Sequence, residues 1–396
     1  MSNRIQFAFL NAGHYFDHLF MLIFATVAAL ALSREWGMDY GELIPYATPG
    51  FVAFGVCAVP AGWLADKWSR QGMLVVFFIG IGLSAVFTAL SGTPFQIGAG
   101  LFAIGVFAAI YHPVGLALVV QGRRNTGVPL AVNGIFGNMG VACAALIAGF
   151  LIDHAGWRSA FVWPGVLSVV TGIAYVLFLR GKAGTGELEQ GKTGAGRRGE
   201  KPLLTGRMLL HVFVIIYVST AIGGFLFQST TFALPKVFDE KLAGLAISAT
   251  LVGWYAFLVF GFAAFGQLIV GYLVDRYSVR VVFSLVAALQ ALFLAIMPGL
   301  TGWTALMVSL AFMLAVFGQI PINDVLIGRI ARSEWRSRVF AFRYIVTFSV
   351  MASSLPLIAW IYSHWGFDGL FKVLAFAAAG TFIAVIMLPR ALSERA

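Results

Sequence analysis

Apolar runs of roughly 20 residues recur along the whole 396-residue chain, each long enough to cross a bilayer as a helix. In lipid, every backbone N–H and C=O must be satisfied within the protein. That leaves helices, because the alternating pattern of a membrane β-barrel is absent. Charged residues make up 11% of the chain, against about 25% in soluble domains, so too few polar groups exist to cover a water-facing surface.

The runs read as twelve spans, at roughly 8–32, 43–65, 72–91, 96–121, 128–152, 158–180, 208–234, 246–274, 279–298, 302–330, 338–362 and 367–389. The first begins near Phe7, after a single Arg4, and is too long for a signal-peptide core. It reads as a permanent span. Cys57 and Cys143 fall inside apolar runs, which suits small packing residues rather than a disulfide or a metal pair.

The net charge of +10 lies in short loops between spans, so it is a topology signal and not a nucleic-acid patch. Of the Lys and Arg residues, 20 fall at the termini and in even-numbered loops, and 5 in odd-numbered loops and at outer helix ends. The asymmetry puts both termini in the cytoplasm. Residues 181–207 are rich in Gly, Lys and Glu without apolar periodicity, and read as a flexible tether. The expected organisation is a bundle over 1–180, a cytoplasmic linker over 181–207 and a second bundle over 208–396.

The chain is built twice. Gly62-Trp63-Leu64-Ala65-Asp66-Lys67-Trp68-Ser69-Arg70 recurs as Gly271-Tyr272-Leu273-Val274-Asp275-Arg276-Tyr277-Ser278, ending in Val279-Arg280, at an offset of 271 − 62 = 209. Gly156-Trp157-Arg158 recurs as Gly366-Phe367-Asp368, at 366 − 156 = 210. Such duplication marks a transporter made of two homologous membrane halves.

The duplicated loop resembles the signature of the major facilitator superfamily, Gly-x-x-x-Asp-Arg/Lys-x-Gly-Arg-Arg/Lys. Gly62, Asp66, Lys67 and Arg70 match in the first copy, and Gly271, Asp275, Arg276 and Arg280 in the second. Ser69 and Ser278 replace the usual Gly. The resemblance implies an all-α polytopic membrane protein with twelve transmembrane helices in two pseudo-symmetric six-helix bundles. It also implies that these loop residues latch the halves and gate the transporter. Three further stretches are similar to the fosmidomycin-resistance branch of bacterial drug exporters: His14-Tyr15-Phe16-Asp17, Tyr111-His112-Pro113 and Asn133 to Gly140. Of the helix 5 antiporter motif, Gly134, Gly137, Gly140 and Gly149 remain, without its proline.

Ionisable side chains inside a membrane cost at least about 2.5–3.5 kcal/mol each on insertion scales, so they point to function. Here they are His14, Asp17, His18, His112, Asp324 and Arg343, on helices 1, 4, 10 and 11. The superfamily lines its cavity with helices that include these four. His14, Asp17 and His18 are spaced i, i+3 and i+4, so they share one helical face, and a carboxylate beside an imidazole can hold a shared proton. The alternative is an Asp–His pair that locks helix 1 to a neighbour. Pro113 and Pro321, 208 residues apart, are expected to bend helices 4 and 10 at equivalent depths. Asn133, Asn138 and Gln228 add neutral polar candidates. Arg343 offers a planar fork for a carboxylate or phosphonate, unless it snorkels or pairs with Asp324.

His14, Asp17 and His18 on one face, with His112 nearby, can instead hold a divalent metal, but no His-rich loop or cysteine supports one, and neither metal nor cofactor is expected. No Gly-x-Ser-x-Gly, His-Glu-x-x-His or phosphate loop appears, which argues against an enzyme. The reading is a monomeric secondary active transporter of the bacterial inner membrane. Its expected partners are protons, membrane lipid and a small organic, anionic or amphiphilic solute, with export favoured by resemblance. Proton-coupled uptake of an organic acid, or export of a metal ion or chelate, are the alternatives.

Overall fold

The computed structural model describes residues 2–123, 125–183, 206–330 and 333–389. Among these there is no strand. The helices are α1 (Ser2–Val27, continued by a π turn at Ala28–Leu32 and by Ser33–Glu35), α2 (Thr48–Lys67) and α3 (Arg70–Thr88). Then come α4 in two pieces (Pro94–Ala108 and Tyr111–Val120), α5 (Gly127–Ala155) and α6 (Trp157–Ala183). The second series is α7 (Gly206–Lys241), α8 (Ala249–Arg276), α9 (Val279–Ile296) and α10 (Gly302–Ile330). The expected linker at 181–207 lies almost entirely outside the described residues.

Among the described residues eleven helices are long and apolar enough to cross a membrane, and the last candidate, Phe342–Ile386, has 45 residues. At 1.5 Å per residue that is about 68 Å, twice a hydrocarbon core. Gly366 divides it. Its backbone (φ 62°, ψ −169°) lies in a region open to glycine, and it splits Ser333–Ile386 into α11 (333–365) and α12 (367–386). Gly156 sits between α5 and α6 with φ 76° and ψ 162°. The duplicated glycines therefore make the same turn in each half, and the twelve-span reading holds.

The chain forms two compact units, Met1–Gly194 with Ala246–Phe257, and Ala195–Leu245 with Leu258–Ala396. In the first unit α1 packs on α5, α3 on α6 and α2 on α4. Its α5 also holds the first turn of α8. Asp153 accepts from the Ala249 and Thr250 N–H groups at 3.3 and 2.7 Å and from the Thr250 hydroxyl at 2.6 Å. In the second unit α9 packs on α10, and α7 on α10 and on the α11–α12 segment. Outward faces stay apolar: Val56 and Val59 on α2, Val170 and Leu177 on α6, and Phe262 and Phe265 on α8 are all exposed. Such faces suit lipid, so the chain is a multi-pass membrane protein.

The matched prolines differ in helix continuity. Pro113 does coincide with a break, since the turn at 109–110 holds the carbonyl that residue 113 cannot bond. Pro321, its counterpart, sits inside an unbroken α10. Pro60, Pro164, Pro235 and Pro356 are also inside helices, so proline alone does not interrupt a helix here. Tyr111 stands at the break in α4, fully buried and tied by its hydroxyl to α1.

Candidate functional site

The polar centre of the first unit is built on α1, whose face carries Asn11, His14, Asp17 and His18. The glycines of α5 let it approach. A Cβ at residue 137 would stand 2.6 Å from His14 Nε2, and one at residue 140 would stand 2.3 Å from the Tyr15 carbonyl oxygen. The break in α4 delivers Tyr111 and His112 to the same place.

Asn133 on α5 organises the centre. Its Nδ2 donates to the Leu10 carbonyl at 3.3 Å, to Asn11 Oδ1 at 3.0 Å and to the Tyr111 hydroxyl at 2.9 Å. Its carbonyl accepts from His14 Nδ1 at 2.8 Å. The Tyr111 hydroxyl also donates to the Leu10 carbonyl at 2.7 Å, and its ring stacks on His14 with centroids 4.9 Å apart. Buried amides and hydroxyls cost free energy unless bonded, and this network satisfies them across three helices.

Two contacts complete the cluster. His18 Nε2 lies 3.2 Å from His14 Nε2, and His112 Nε2 lies 3.3 Å from Asp17 Oδ2. Asp17 is fully buried, and neither of its oxygens has a hydrogen bond of good geometry among the described residues. A buried carboxylate is costly unless a partner offsets it, and His112 is the group beside it. The expected face of α1 is therefore real, but Asp17 turns to His112 on α4 and not to its own helix neighbours. Asn138 is half-buried on α5.

The second unit differs. Arg343 on α11 pairs with Asp324 on α10, as one of the sequence alternatives had it. Among the described residues the buried Arg343 Nε has no hydrogen-bond partner, nor has Nε2 of the buried Gln228 on α7. Sequence reasoning missed a relay in this unit. Gln290 Nε2 on α9 donates to Gln319 Oε1 at 2.8 Å, Gln319 Nε2 donates to the Ser219 carbonyl at 3.1 Å, and the Ser219 hydroxyl donates to Asn323 at 3.2 Å. It also missed Asn11 and Tyr111 as members of the first centre. The available signal was a polar side chain inside an apolar run.

The duplicated loops are not copies in detail. Arg70 bonds Asp66 through Nε at 3.1 Å and Nη2 at 2.7 Å, within its own turn. Ser69, where the signature has Gly, caps α3 by accepting from Gly72 N–H at 3.0 Å, whereas the Ser278 side chain caps nothing. Gly62 faces Pro113, with a Cβ position 3.3 Å from the ring. Lys67 is exposed, as are Asp275 and Arg276; Arg276 lies over the Tyr272 ring at 4.0 Å, and Arg280 donates to the Ile386 carbonyl. Gly271 has open space around its Cβ position.

With this geometry in view, the sequence profile of the Major Facilitator Superfamily matches residues 12–246 and 242–396. The chain belongs to the major facilitator superfamily. Its members here are transporters and not enzymes. A 4-hydroxybenzoate transporter of Pseudomonas aeruginosa is 29% identical over 154 residues, which is 38% of this chain and 34% of that protein. A gallate transporter of Pseudomonas putida is 23% identical over 154 residues, 38% of this chain and 34% of that protein. A niacin transporter of Acinetobacter baylyi is 26% identical over 164 residues, 40% of this chain and 36% of that protein. Each match thus spans about a third of the relative. Among solved major facilitator structures, a D-xylose–proton symporter superposes with TM-score 0.73 at 13% identity, covering 97% of this chain and 98% of that one. A POT family transporter in complex with 5-aminolevulinic acid gives 0.74 at 13% identity, covering 98% and 96%. These two likenesses show the fold.

Proposed function

We propose that this major facilitator protein is a proton-coupled secondary transporter of a small organic anion, working by alternating access of its two halves. The observation that carries the reading is the fully buried Asp17 carboxylate against His112, inside the membrane-spanning part of the first unit. A carboxylate–imidazole pair that shares a proton can load and release it as its surroundings change, which coupling requires. The buried donors Arg343 Nε and Gln228 Nε2 support an anionic cargo, since a guanidinium fork suits a carboxylate. The names of the curated relatives, transporters of 4-hydroxybenzoate, gallate and niacin, support an aromatic acid.

The distribution of Lys and Arg supports both termini and the linker at 181–207 in the cytoplasm, and the likeness to bacterial transporters supports an inner-membrane location. We take 1–180 and 208–396 as the two functional halves of a monomer. Likeness of His14–Asp17, Tyr111–Pro113 and the helix 5 glycines to fosmidomycin-resistance exporters supports antiport and efflux as the direction. The duplicated loops, Gly62 to Arg70 and Gly271 to Arg280, are proposed to set the balance between inward- and outward-open states.

The test is flux in proteoliposomes with 4-hydroxybenzoate and nicotinate as probes, with and without an imposed pH gradient. Expected is transport of at least one aromatic acid that the gradient accelerates, with alkalinisation or acidification of the lumen in step. Flux of these acids that ignores the gradient, or none at all, would overturn the reading.

A further inference from the structure

His14 and His18 are one helical turn apart, the spacing with which two imidazoles on one helix face grip a single ion. Their Nε2 atoms are 3.2 Å apart, with His18 Nε2–H donating to the lone pair of His14 Nε2, so a bound cation would take the place of that hydrogen. Two nitrogens on a tetrahedral zinc ion, each about 2.0–2.1 Å from the metal, stand about 3.3 Å from one another, so the pair is set at nearly the right opening. His112 arrives from α4, and one ligand atom from each of the three histidines falls within 4.8 Å of the others.

The surroundings are those of a ligand set. His14 Nδ1 donates to the Asn133 carbonyl at 2.8 Å, which fixes the tautomer and leaves Nε2 with its lone pair. A metal-bound histidine is oriented in this way by a carbonyl or carboxylate on its other nitrogen. Asp17 stands in the matching place for His112, 3.3 Å from its Nε2. It is fully buried, without a well-formed hydrogen bond among the described residues, and supplies negative charge beside the cation. Gly137 keeps side-chain atoms away from His14 Nε2.

We propose that His14, His18 and His112 form a binding site for a divalent cation of the zinc class, with Asp17 as the carboxylate that orients His112 and offsets the cation's charge. Three neutral imidazoles select a borderline ion such as Zn2+ or Co2+ over Mg2+ or Ca2+, which prefer oxygen. The site uses the cluster assigned above to proton coupling but does not depend on that assignment, because binding can be read without transport.

The experiment uses the purified full-length protein in detergent, stripped with chelator and titrated with ZnCl2 by calorimetry and with CoCl2 by visible absorption. Expected are one saturable Zn2+ per chain, a tetrahedral Co2+ spectrum with nitrogen ligation, and no heat with Mg2+. His14→Ala and His18→Ala should each weaken binding by at least about tenfold, and His18→Cys should retain much of it, because a thiolate also ligates. The other three histidines, His154, His211 and His364, are exposed. Replacing all three with Asn should leave the stoichiometry and affinity unchanged. Gel filtration of each variant separates loss of a ligand from loss of fold, and the wild-type Co2+ spectrum reads ligation without any variant. Absence of saturable Zn2+ binding to the wild type, or binding indifferent to His14→Ala and His18→Ala, would overturn the proposal. Binding lost in the triple Asn variant would do the same.

Discussion

His112 Nε2 lies 3.3 Å from Asp17 Oδ2, joining the start of the second piece of α4 to the middle of α1. If this pair carries the coupled proton, Asp17→Asn removes the titrating oxygen while keeping size and polarity. Gradient-driven accumulation in proteoliposomes should then fall to the level seen without a gradient. Exchange of solute down its own gradient should continue. Undiminished gradient-driven flux in Asp17→Asn would reduce the pair to a structural tie between helices.

Asn133 should be a keystone for stability. Asn133→Leu leaves Asn11 Oδ1 without its donor and the Tyr111 hydroxyl with only its bond to the Leu10 carbonyl, and removes nothing from the bilayer-facing surface. Each stranded buried group costs about 1–3 kcal/mol. Thermal unfolding in detergent should show a drop of several degrees, and Tyr111→Phe a smaller one. Equal stability of Asn133→Leu and wild type would mean that the network is dispensable.

How much of this was legible in the sequence follows from which signals are local. Gly156 and Gly366 could be paired by offset alone, and both prove to be turn glycines with positive φ. The shared face of His14, Asp17 and His18 follows from helical spacing. The partner of Asp17 does not, because nothing local says which helix packs on α1, and the glycines that admit α5 declare themselves only through Tyr15 and His14. The matched prolines show the same limit. Tyr111 before Pro113 is tied to the Leu10 carbonyl of α1, and Gln319 before Pro321 to the Ser219 carbonyl of α7, yet only α4 is interrupted, so equal offsets gave matching anchors without equal backbones. Gln290 and Gln319 were passed over because neutral amides in apolar runs give a weaker signal than charges.

The turn between α11 and α12 should tolerate only glycine. With φ 62° and ψ −169°, Gly366→Ala should cost about 1–3 kcal/mol. Gly156→Ala, at φ 76° and ψ 162°, should cost a similar amount. Gly134→Ala and Gly261→Ala are controls, since a Cβ at either meets nothing within 4 Å and the backbone is helical. Melting temperatures of the four variants should fall into two groups, and a stable Gly366→Ala would contradict the strained-turn account.

Topology can be checked without transport. Single cysteines placed in 181–207 of a variant lacking Cys57 and Cys143 should react with an impermeant maleimide only after cells are opened. A cysteine at the exposed Gly92, between α3 and α4, should react in intact cells. The reverse pattern would invert the orientation read from the Lys and Arg distribution.

Arg343 and Asp324 offer a test of sign. Asp324→Asn leaves a guanidinium with 11% of its side chain exposed and no counter-charge from its former partner. Breaking a fully buried pair costs about 3–5 kcal/mol. The Asp324 side chain is 42% exposed, so the pair is not fully buried and the loss should stay below that figure. Replacing both partners, as Asp324→Asn with Arg343→Met, removes the stranded charge and should restore most of the stability. Transport should not return with it, because the donor proposed for the substrate carboxylate is gone. Stability measured by unfolding and flux of an aromatic acid measured in proteoliposomes should therefore separate in the double variant. Recovery of both together would assign Arg343 to architecture alone and send the search for the anion site to Gln228 and its neighbours on α7.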